Sequence, residues 1–155
     1  MSSAPSFVIL GGGPAGHEAA TYAARLGARV ILIERDVVGG AAHLLDCVPS
    51  KTMIATARAI SFNRRIAGMG LSPVDARVDI EILRDRVEGI KGWLESSIRD
   101  LLASQRVRMI CGTARLVGPH EVAVESDSGT EQIHADAILV ATGSRPRIPG
   151  FCIPD

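Results

Sequence analysis

The hydrophobic positions in the first part of the chain form two short continuous runs separated by an alanine-rich segment. Residues 7–10 (Phe-Val-Ile-Leu) form the first run, and residues 29–34 (Arg-Val-Ile-Leu-Ile-Glu) contain the second. Short apolar runs bounded by turn residues are typical of strands buried on both faces of a parallel sheet. Residues 14–26 between them are rich in alanine, which favours helix, and Gly27 supplies a helix stop. The pattern therefore predicts a βαβ unit with a right-handed crossover.

The middle of the chain combines an irregular stretch with two helical segments. Residues 36–50 contain Gly39, Gly40 and Pro49 and predict an irregular loop, from which Pro49 can open a helix over residues 50–67. A second helix is predicted over residues 79–105. Its apolar positions recur at steps of three or four residues with one step missing, at Leu83, Val87, Ile90, Leu94 and Leu101. We expect this stripe to pack on its own domain or against a symmetry mate.

Beyond residue 106 the hydrophobic pattern changes from helical to period two. Short strands are predicted at four places, joined by turns at residues 118–119 and 127–129; the strands cover residues 107–111, 113–117, 121–124 and 131–134. Residues 137–141 then form another apolar run that is typical of a buried strand. Together the elements predict an α/β fold: a Rossmann-like parallel sheet with helices, plus a small antiparallel β-meander.

Composition narrows the class of protein without naming a function. The 155 residues include 17 basic and 17 acidic side chains, and this zero net charge gives no indication of a nucleic-acid or anionic-membrane partner. No apolar run approaches the ~18–20 residues that span a bilayer, and residues 1–6 lack the basic region of a secretory signal. Three widely spaced cysteines favour a reducing, cytoplasmic location. No histidines and cysteines have the spacing of metal ligands, so no metal site is predicted.

A glycine-rich turn lies directly between the first predicted strand and the first predicted helix. Residues 11–16 (Gly-Gly-Gly-Pro-Ala-Gly) match G-x-G-x-x-G, in which Gly11 permits the turn, Gly13 lets the backbone approach a diphosphate, and Gly16 allows close helix–strand packing. The amino end of the helix adds free N–H groups and a partial positive charge. Glu34, 18 residues beyond Gly16, ends the second strand, where a carboxylate binds ribose hydroxyls. The sequence therefore predicts a dinucleotide site that favours FAD or NAD over NADP.

A third motif follows shortly after the second strand. Residues 39–51 read Gly-Gly-Ala-Ala-His-Leu-Leu-Asp-Cys-Val-Pro-Ser-Lys. They resemble the redox segment of the pyridine nucleotide–disulfide oxidoreductases, the family of dihydrolipoamide dehydrogenase and glutathione reductase, whose pattern is G-G-x-C-x-x-x-x-C-x-P-S-K. The resemblance also includes the glycine loop, Glu34 and residues 141–146 (Ala-Thr-Gly-Ser-Arg-Pro), so it covers essentially the whole chain.

This resemblance implies that the nucleotide site holds FAD. In the family, the residue matching Glu34 binds the adenosine ribose, and those matching Gly39 and Gly40 line the diphosphate and the flavin. The lysine matching Lys51 lies near the flavin, and the backbone matching residues 112–114 lies on the adenine side. The expected FAD-binding residues are Gly11, Gly13, Pro14, Ala15, Gly16, Glu34, Arg35, Gly39, Gly40, Ala41, Lys51, Gly112, Ala114, Ala141, Thr142 and Gly143.

The family pattern has two redox cysteines, and this sequence keeps only the second. Cys47 is present, but Ala42 stands at the position of the first. Because a dithiol–disulfide cycle needs two sulfurs, no redox disulfide can form in this segment. We therefore hypothesise that FAD passes electrons from NAD(P)H directly to a quinone, another nicotinamide or oxygen, which resembles the NAD(P)H quinone reductases of the family. Cys47 is the candidate catalytic residue as a flavin-proximal thiol; an inert packed thiol is the alternative.

Family members are several times longer than this chain, with an NAD(P) domain and a dimerisation domain. Residues 1–155 therefore resemble the N-terminal part of an incomplete FAD-binding domain, whose sheet is expected to lack a strand. For a full-length parent the resemblance implies NAD(P)H as co-substrate, a small-molecule electron acceptor and a homodimer; the chain alone is expected to be inactive. Two alternatives stay open. One is a non-catalytic FAD- or ADP-binding fragment or remnant, and the other is dihydrolipoamide dehydrogenase or transhydrogenase-type activity in the parent.

Overall fold

The structure consists of three layers, with a parallel sheet between a layer of helices and a second, antiparallel sheet. It is a computed structural model and describes residues 4–72, 74–145 and 147–151. Seven strands form the two sheets: β1 (Ser6–Leu10), β2 (Arg29–Glu34), β3 (Arg108–Cys111), β4 (Thr113–Gly118), β5 (Glu121–Ser126), β6 (Gly129–His134) and β7 (Ala137–Val140). The parallel sheet has the order β3-β2-β1-β7, and the antiparallel sheet has the order β4-β5-β6.

Three α-helices accompany the sheets: α1 (Pro14–Arg25), α2 (Val48–Arg65) and α3 (Ile80–Ser104). A π-helical segment, Ala42–Cys47, leads directly into α2, and a 3₁₀ turn, Ile66–Met69, follows it. The start of α3 is fixed by the side chain of Asp79, which accepts hydrogen bonds from the backbone N–H groups of Glu81 (3.0 Å) and Ile82 (3.1 Å).

Alternation along the strands divides the core between the two faces of the parallel sheet. In β1, Val8 and Leu10 face the antiparallel sheet, where they pack with residues such as Val122 and Val124. Ile9 faces the helices and belongs to a second cluster; the other buried members of that cluster are Ala20, Val30, Leu32, Val38, Leu102 and Val107. Burial on both faces explains why the strands of this sheet read as continuous apolar runs.

The predicted fold class, a Rossmann-like α/β sheet with helices and a small antiparallel meander, is confirmed. Residues 107–111 were expected to follow the period-two pattern, yet β3 joins the parallel sheet beside β2 rather than the meander. Its polar ends, Arg108 and Cys111, are exposed because β3 is an outer strand. At the other edge lies β7, whose Val140 is 56% exposed. Predictions that involve residues 1–3, Pro73, Pro146 and 152–155 fall outside the described residues.

The prediction of an irregular loop over residues 36–50 is wrong for most of its length. Helical structure begins at Gly40 and continues through the π-helical segment into α2. Gly39 and Gly40 have φ of +112° and +72°, so the chain turns at these two glycines and enters the helix at Gly40. Leu44 then anchors the π-helical segment because its side chain is almost fully buried.

The apolar stripe predicted for α3 is displaced at its carboxyl end. Leu101 is 42% exposed, whereas Leu102 is completely buried among α1 and the parallel sheet, with Ile98 packed beside it. Leu101 is 18 residues from Leu83, which is five turns of an α-helix, so the two side chains share one face. The buried face differs at the carboxyl end because α3 packs there on α1 and the parallel sheet, which Leu102 faces.

Candidate functional site

The carboxyl ends of β1, β2 and β7 meet at one edge of the parallel sheet and surround a cavity of about 880 Å³. Backbone hydrogen bonds extend the strand pairing into the loops that form its walls. Gly11 N–H donates to the carbonyl of Ile33 (2.8 Å), and Ala141 N–H donates to the carbonyl of Leu10 (2.8 Å). The loops are therefore fixed to the sheet, and ligand sites at this position are typical of open α/β sheets.

The glycine loop after β1 accepts no larger residue at two of its positions. Gly11 has φ +104°, and a Cβ there would overlap the carbonyl oxygen of Ala141. A Cβ at Gly16 would overlap the carbonyl oxygen of Gly11, so helix α1 could not pack this close to β1. Gly13 is different, since the nearest atom to a Cβ there is the Cα of Gly40 at 3.9 Å. At Gly13 the open space belongs to the cavity, and a Cβ would take part of the volume left for a ligand.

The amino terminus of α1 points its first turn at this cavity without a side-chain cap. Gly13 occupies the N-cap position and Pro14 the first helical position, and the first turn contains no acidic residue. The first N–H groups of a helix have no partner within it, and together with the helix dipole they favour an anion. Pro14 and Ala15 line the cavity, so this end of the helix is suited to a phosphate group.

Glu34 holds the loop after β2 against the glycine loop. Its Oε2 atom accepts a hydrogen bond from Gly12 N–H (2.7 Å), and its Oε1 atom accepts one from Asp36 N–H (2.8 Å). A carboxylate offers about four acceptor positions. Both oxygens therefore retain capacity to accept hydrogen bonds from a ribose, and the two backbone donors keep the side chain oriented along the cavity wall.

The turn at Gly39 and Gly40 brings the redox segment against the glycine loop. Gly39 N–H donates to the carbonyl of Gly12 (2.8 Å), and a Cβ at Gly40 would lie 2.6 Å from the Cα of Gly13. This close backbone approach places Ala42 and Asp46 in the wall of the same cavity. The position that carries a cysteine in the family pattern is thus a cavity wall, and here it presents a methyl group.

Cys47 and Lys51 lie one helical turn apart at the start of α2. The Nζ atom of Lys51 donates to Sγ of Cys47 (2.7 Å), and Oγ of Ser50 donates to the carbonyl of Cys47 (3.1 Å). Cys47 is half-buried and Lys51 is exposed. Neither lines the cavity, although Asp46 beside Cys47 does.

Most of the residues predicted for the site come together around this one cavity. Those in its wall are Gly11, Gly13, Pro14, Ala15, Glu34, Arg35, Gly40, Ala41, Gly112, Ala114, Ala141, Thr142 and Gly143. Gly16, Gly39, Cys47 and Lys51 are not in the wall; Gly16 serves helix packing, and a Cβ at Gly39 would collide with Leu44 and Ile98. The structure adds residues that the prediction missed: Leu10, Ile33, Asp36, Val37, Ala42, Leu45, Asp46, Ser144 and Arg145; Thr113, within the predicted stretch 112–114, also lines the cavity. Most of these adjoin a predicted residue, so extending each motif by a few positions would have found them.

The described ranges contain neither a group of metal-ligating side chains nor a membrane-spanning helix. Over residues 4–72, 74–145 and 147–151, no three His, Cys, Asp or Glu side chains are grouped so that they could hold a metal ion. Within the same ranges no helix has the length and apolar character required to cross a membrane.

Comparison with known proteins places these features in a family. The family model described as "Pyridine nucleotide-disulphide oxidoreductase" matches residues 5–154. The "NAD(P)H dehydrogenase (quinone)" of Mycobacterium tuberculosis H37Rv is 38% identical over 160 residues, which cover 96% of this chain and 32% of that protein. The "Dihydrolipoyl dehydrogenase" of Zymomonas mobilis is 33% identical, covering 90% of this chain and 30% of its own length.

Two solved structures of oxidoreductases resemble this chain in fold. The crystal structure of LpdA from Mycobacterium tuberculosis matches with a TM-score of 0.88 and 36% identity, covering 97% of this chain and 34% of that one. The flavoprotein disulfide reductase RclA from Escherichia coli, solved as a Cu(II) complex, matches with a TM-score of 0.79 and 25% identity. The chain therefore spans about a third of the length of the relatives it matches.

Proposed function

Because the chain belongs to the pyridine nucleotide-disulphide oxidoreductase family, we propose that it is the FAD-binding N-terminal region of a flavin-dependent NAD(P)H oxidoreductase. Members of this family bind FAD and use NAD(P)H, and its relatives are oxidoreductases about three times as long as this chain. The longer enzyme, its homodimeric state and its cytoplasmic location form part of the same proposal. The single observation that carries it is the cavity that unites the uncapped end of α1, Glu34 and the redox segment.

The residues present fit FAD. The amino end of α1 at Gly13–Ala15 binds the diphosphate, and the Glu34 carboxylate accepts hydrogen bonds from the adenosine ribose. Residues 112–114 border the adenine side of the cavity, and residues 141–143 border the other side. A Cβ at Gly40 would overlap the Cα of Gly13, so the glycine loop and the redox segment meet through their backbones beside the proposed diphosphate position.

Ala42 determines the route that we propose for the electrons. Bound FAD would supply the redox chemistry of this route, which is acceptance of a hydride from NAD(P)H and transfer of the electrons to an acceptor. With a methyl group at residue 42, Cys47 has no second sulfur in this segment with which to form a disulfide. We therefore assign the oxidant as a quinone or a similar small molecule that receives electrons directly from the flavin, in agreement with the name of the mycobacterial relative.

Two alternatives have weaker support. Dihydrolipoamide oxidation requires the cysteine pair, so Ala42 argues against it although relatives of that name are similar. Transhydrogenases of the family resemble this chain in lacking a complete pair, but they lose the second cysteine, which is present here as Cys47. A non-catalytic ADP- or FAD-binding protein would keep the Glu34 site and have no turnover. An assay of NAD(P)H-dependent quinone reduction distinguishes it from our proposal.

The first experiment tests the nucleotide site in the chain itself. Titration of the purified protein with FAD, followed by flavin fluorescence, should show uptake of one FAD per chain, and ADP should compete. Adenosine 2′,5′-bisphosphate should compete at least about tenfold more weakly than AMP, from which it differs only by the 2′-phosphate, because that phosphate meets the carboxylate of Glu34. Absence of FAD uptake, or equal competition by AMP and the bisphosphate, would contradict the assignment of Glu34.

The second experiment tests the electron route in a longer polypeptide that carries this region. Replacement Cys47→Ser should leave NAD(P)H-dependent quinone reduction within about threefold of the unsubstituted enzyme, because the thiol lies outside the route. Neither protein should reduce lipoamide at a rate comparable to its rate of quinone reduction. Loss of quinone reduction in Cys47→Ser would show that the thiol carries the electrons, and lipoamide turnover would favour the dehydrogenase alternative.

A further inference from the structure

An ion pair joins two of the loops that border the cavity. The NH2 atom of Arg145, which lies just after β7, is 3.6 Å from Oδ2 of Asp36, which lies just after β2. Both residues line the cavity. The strands that carry them are separated in the sheet by β1, so this pair passes over the end of β1 and the glycine loop.

The pair continues a chain of polar contacts that begins at the glycine loop. Gly12 N–H donates to Glu34, and the other oxygen of Glu34 accepts the N–H of Asp36 (2.8 Å). Asp36 then reaches Arg145 through its side chain. Three loops, one from each of β1, β2 and β7, are thereby connected at the end of the cavity that contains Glu34.

Arg145 supplies a positive charge to Asp36 at the end of the cavity that contains Glu34. Asp36 also lies 3.6 Å from Nε of Arg35, but Arg35 belongs to the same loop and connects nothing across the cavity. Arg145 is the partner in the described chain that brings a positive charge from the opposite wall. Without it, the segment at residues 142–145 would lose a charged contact with the loop after β2.

We propose that Asp36 and Arg145 form a latch that closes the adenosine end of the cavity and slows release of the coenzyme. This inference rests on the proposed function, since it assumes that the adenosine ribose lies at Glu34. Arg145 acts as a positioning residue: it holds residues 142–145 against the loop after β2. The pair is exposed, with 74% and 68% of the two side chains accessible, so the expected effect on release is modest and sensitive to salt.

The test measures the release rate of FAD and of ADP from the full chain by stopped-flow displacement. Asp36→Asn and Arg145→Gln should each speed release about two- to fivefold, and the double variant should release no faster than either single variant. Arg145→Lys, which keeps the charge, should release FAD and ADP almost as slowly as the unsubstituted chain. In the unsubstituted chain, 0.5 M NaCl should raise the rate toward that of the variants, whose own rates should change little. Arg147→Gln, exposed two residues further along, is the matched control and should release at the unsubstituted rate.

Other results would overturn the latch, and one of them would also overturn the proposed function. Faster release in Arg145→Gln but not in Asp36→Asn would overturn the latch, because Arg145 would then act on the coenzyme by itself. Additive effects in the double variant would also overturn it. If the unsubstituted chain binds FAD and all variants release it at one rate, the latch alone fails. If the unsubstituted chain takes up no FAD, the proposed function fails and the latch with it. Melting temperatures of the ligand-free variants, expected to be equal, exclude a general loss of structure.

Discussion

Nζ of Lys51 donates a hydrogen bond to Sγ of Cys47 across the first turn of α2, at 2.7 Å. The π-helical segment ends at Cys47 and α2 begins at Val48, so the two side chains lie four residues apart on one helical face. At this distance the ammonium group is in direct contact with the sulfur and attracts negative charge on it. The lysine of the family pattern is therefore paired here with the single remaining cysteine of that pattern, not with the cavity wall.

Removal of this cation should slow the reaction of the thiol with an alkylating reagent. In a background with Cys111 and Cys152 replaced by serine, Lys51→Met should reduce the rate of Cys47 alkylation by iodoacetamide about three- to tenfold at neutral pH. Lys91→Met is the matched control, because Lys91 pairs instead with Glu88 at 2.9 Å on α3. Equal rates in the Lys51 and Lys91 variants would show that the ammonium group does not influence the sulfur.

Gly16 is required for folding rather than for ligand contact. A Cβ at Gly16 would overlap the carbonyl of Gly11, so Gly16→Ala should destabilise the protein by about 3 kcal/mol or more. Gly89→Ala is the control, since a Cβ at this helical position meets no neighbour within 4 Å and should stabilise α3 by about 0.5–1 kcal/mol. Urea denaturation of both variants checks the pair. A Gly16→Ala protein as stable as the unsubstituted chain would refute the packing argument.

Local sequence patterns predicted those parts of the fold in which both faces of the parallel sheet are buried. The apolar runs of β1 and β2 and the alanine-rich α1 between them lie where the sequence indicates, because both faces of the sheet are covered. The π-helical segment was missed because glycine pairs usually mark loops, and their role here, a positive-φ turn before a helix, depends on contact with Gly13. The membership of β3 in the parallel sheet depends on its pairing with β2, which no local pattern contains.

The site was predictable to a similar degree. Motif residues such as Gly11, Glu34 and Thr142 lie in the cavity wall and belong to motifs that the sequence displays, whereas their contact with FAD stays a prediction. Arg145 and Asp36 were missed as a pair because they are more than a hundred residues apart in the chain, and only the strand order brings them together. Long-range pairing of exposed charges leaves no periodic signal in a sequence.

Gly13 offers a test in which ligand binding and stability respond differently. A Cβ at Gly13 approaches no atom closer than 3.9 Å, and its backbone φ of −67° is accessible to alanine. Gly13→Ala should therefore change the melting temperature by no more than about 2 °C. The added methyl group would occupy space beside the diphosphate, so FAD affinity should fall at least about tenfold. Calorimetric titration of FAD measures the affinity, and unchanged binding would show that the diphosphate lies elsewhere.

Asp136 should contribute stability that is lost in acid. Hydrogen bonds from the Ser6 backbone N–H (2.7 Å) and, next, from its hydroxyl (2.7 Å) lower the pKa of the Asp136 carboxyl from its usual value. A lowered pKa in the folded state means that the contribution is complete above the unfolded value of about 3.9 and disappears as the pH falls through the folded value.

Asp136→Asn should accordingly melt at a lower temperature than the unsubstituted chain at pH 6–7, and the difference should shrink below about pH 4. Asp127→Asn, in the exposed turn between β5 and β6, is the control and should show no such pH-dependent difference. Thermal melts over pH 2–7 provide the comparison. A constant difference between Asp136→Asn and the unsubstituted chain across this range would contradict the assignment of the hydrogen bonds to the charged form.

Restoring the missing sulfur tests whether the π-helical segment still has the geometry of a redox pair. Residues 42 and 47 are the two ends of this segment, and the i→i+5 pattern of a π-helix places such ends one turn apart. In a background with Cys111 and Cys152 replaced by serine, Ala42→Cys should lose both thiols on mild oxidation and regain them with dithiothreitol. Ala41→Cys, one position earlier, should keep its thiols unpaired under the same conditions. If Ala42→Cys also kept both thiols, the backbone of this segment would differ from that of a redox pair. The missing sulfur at residue 42 would then not be the sole reason that no disulfide forms.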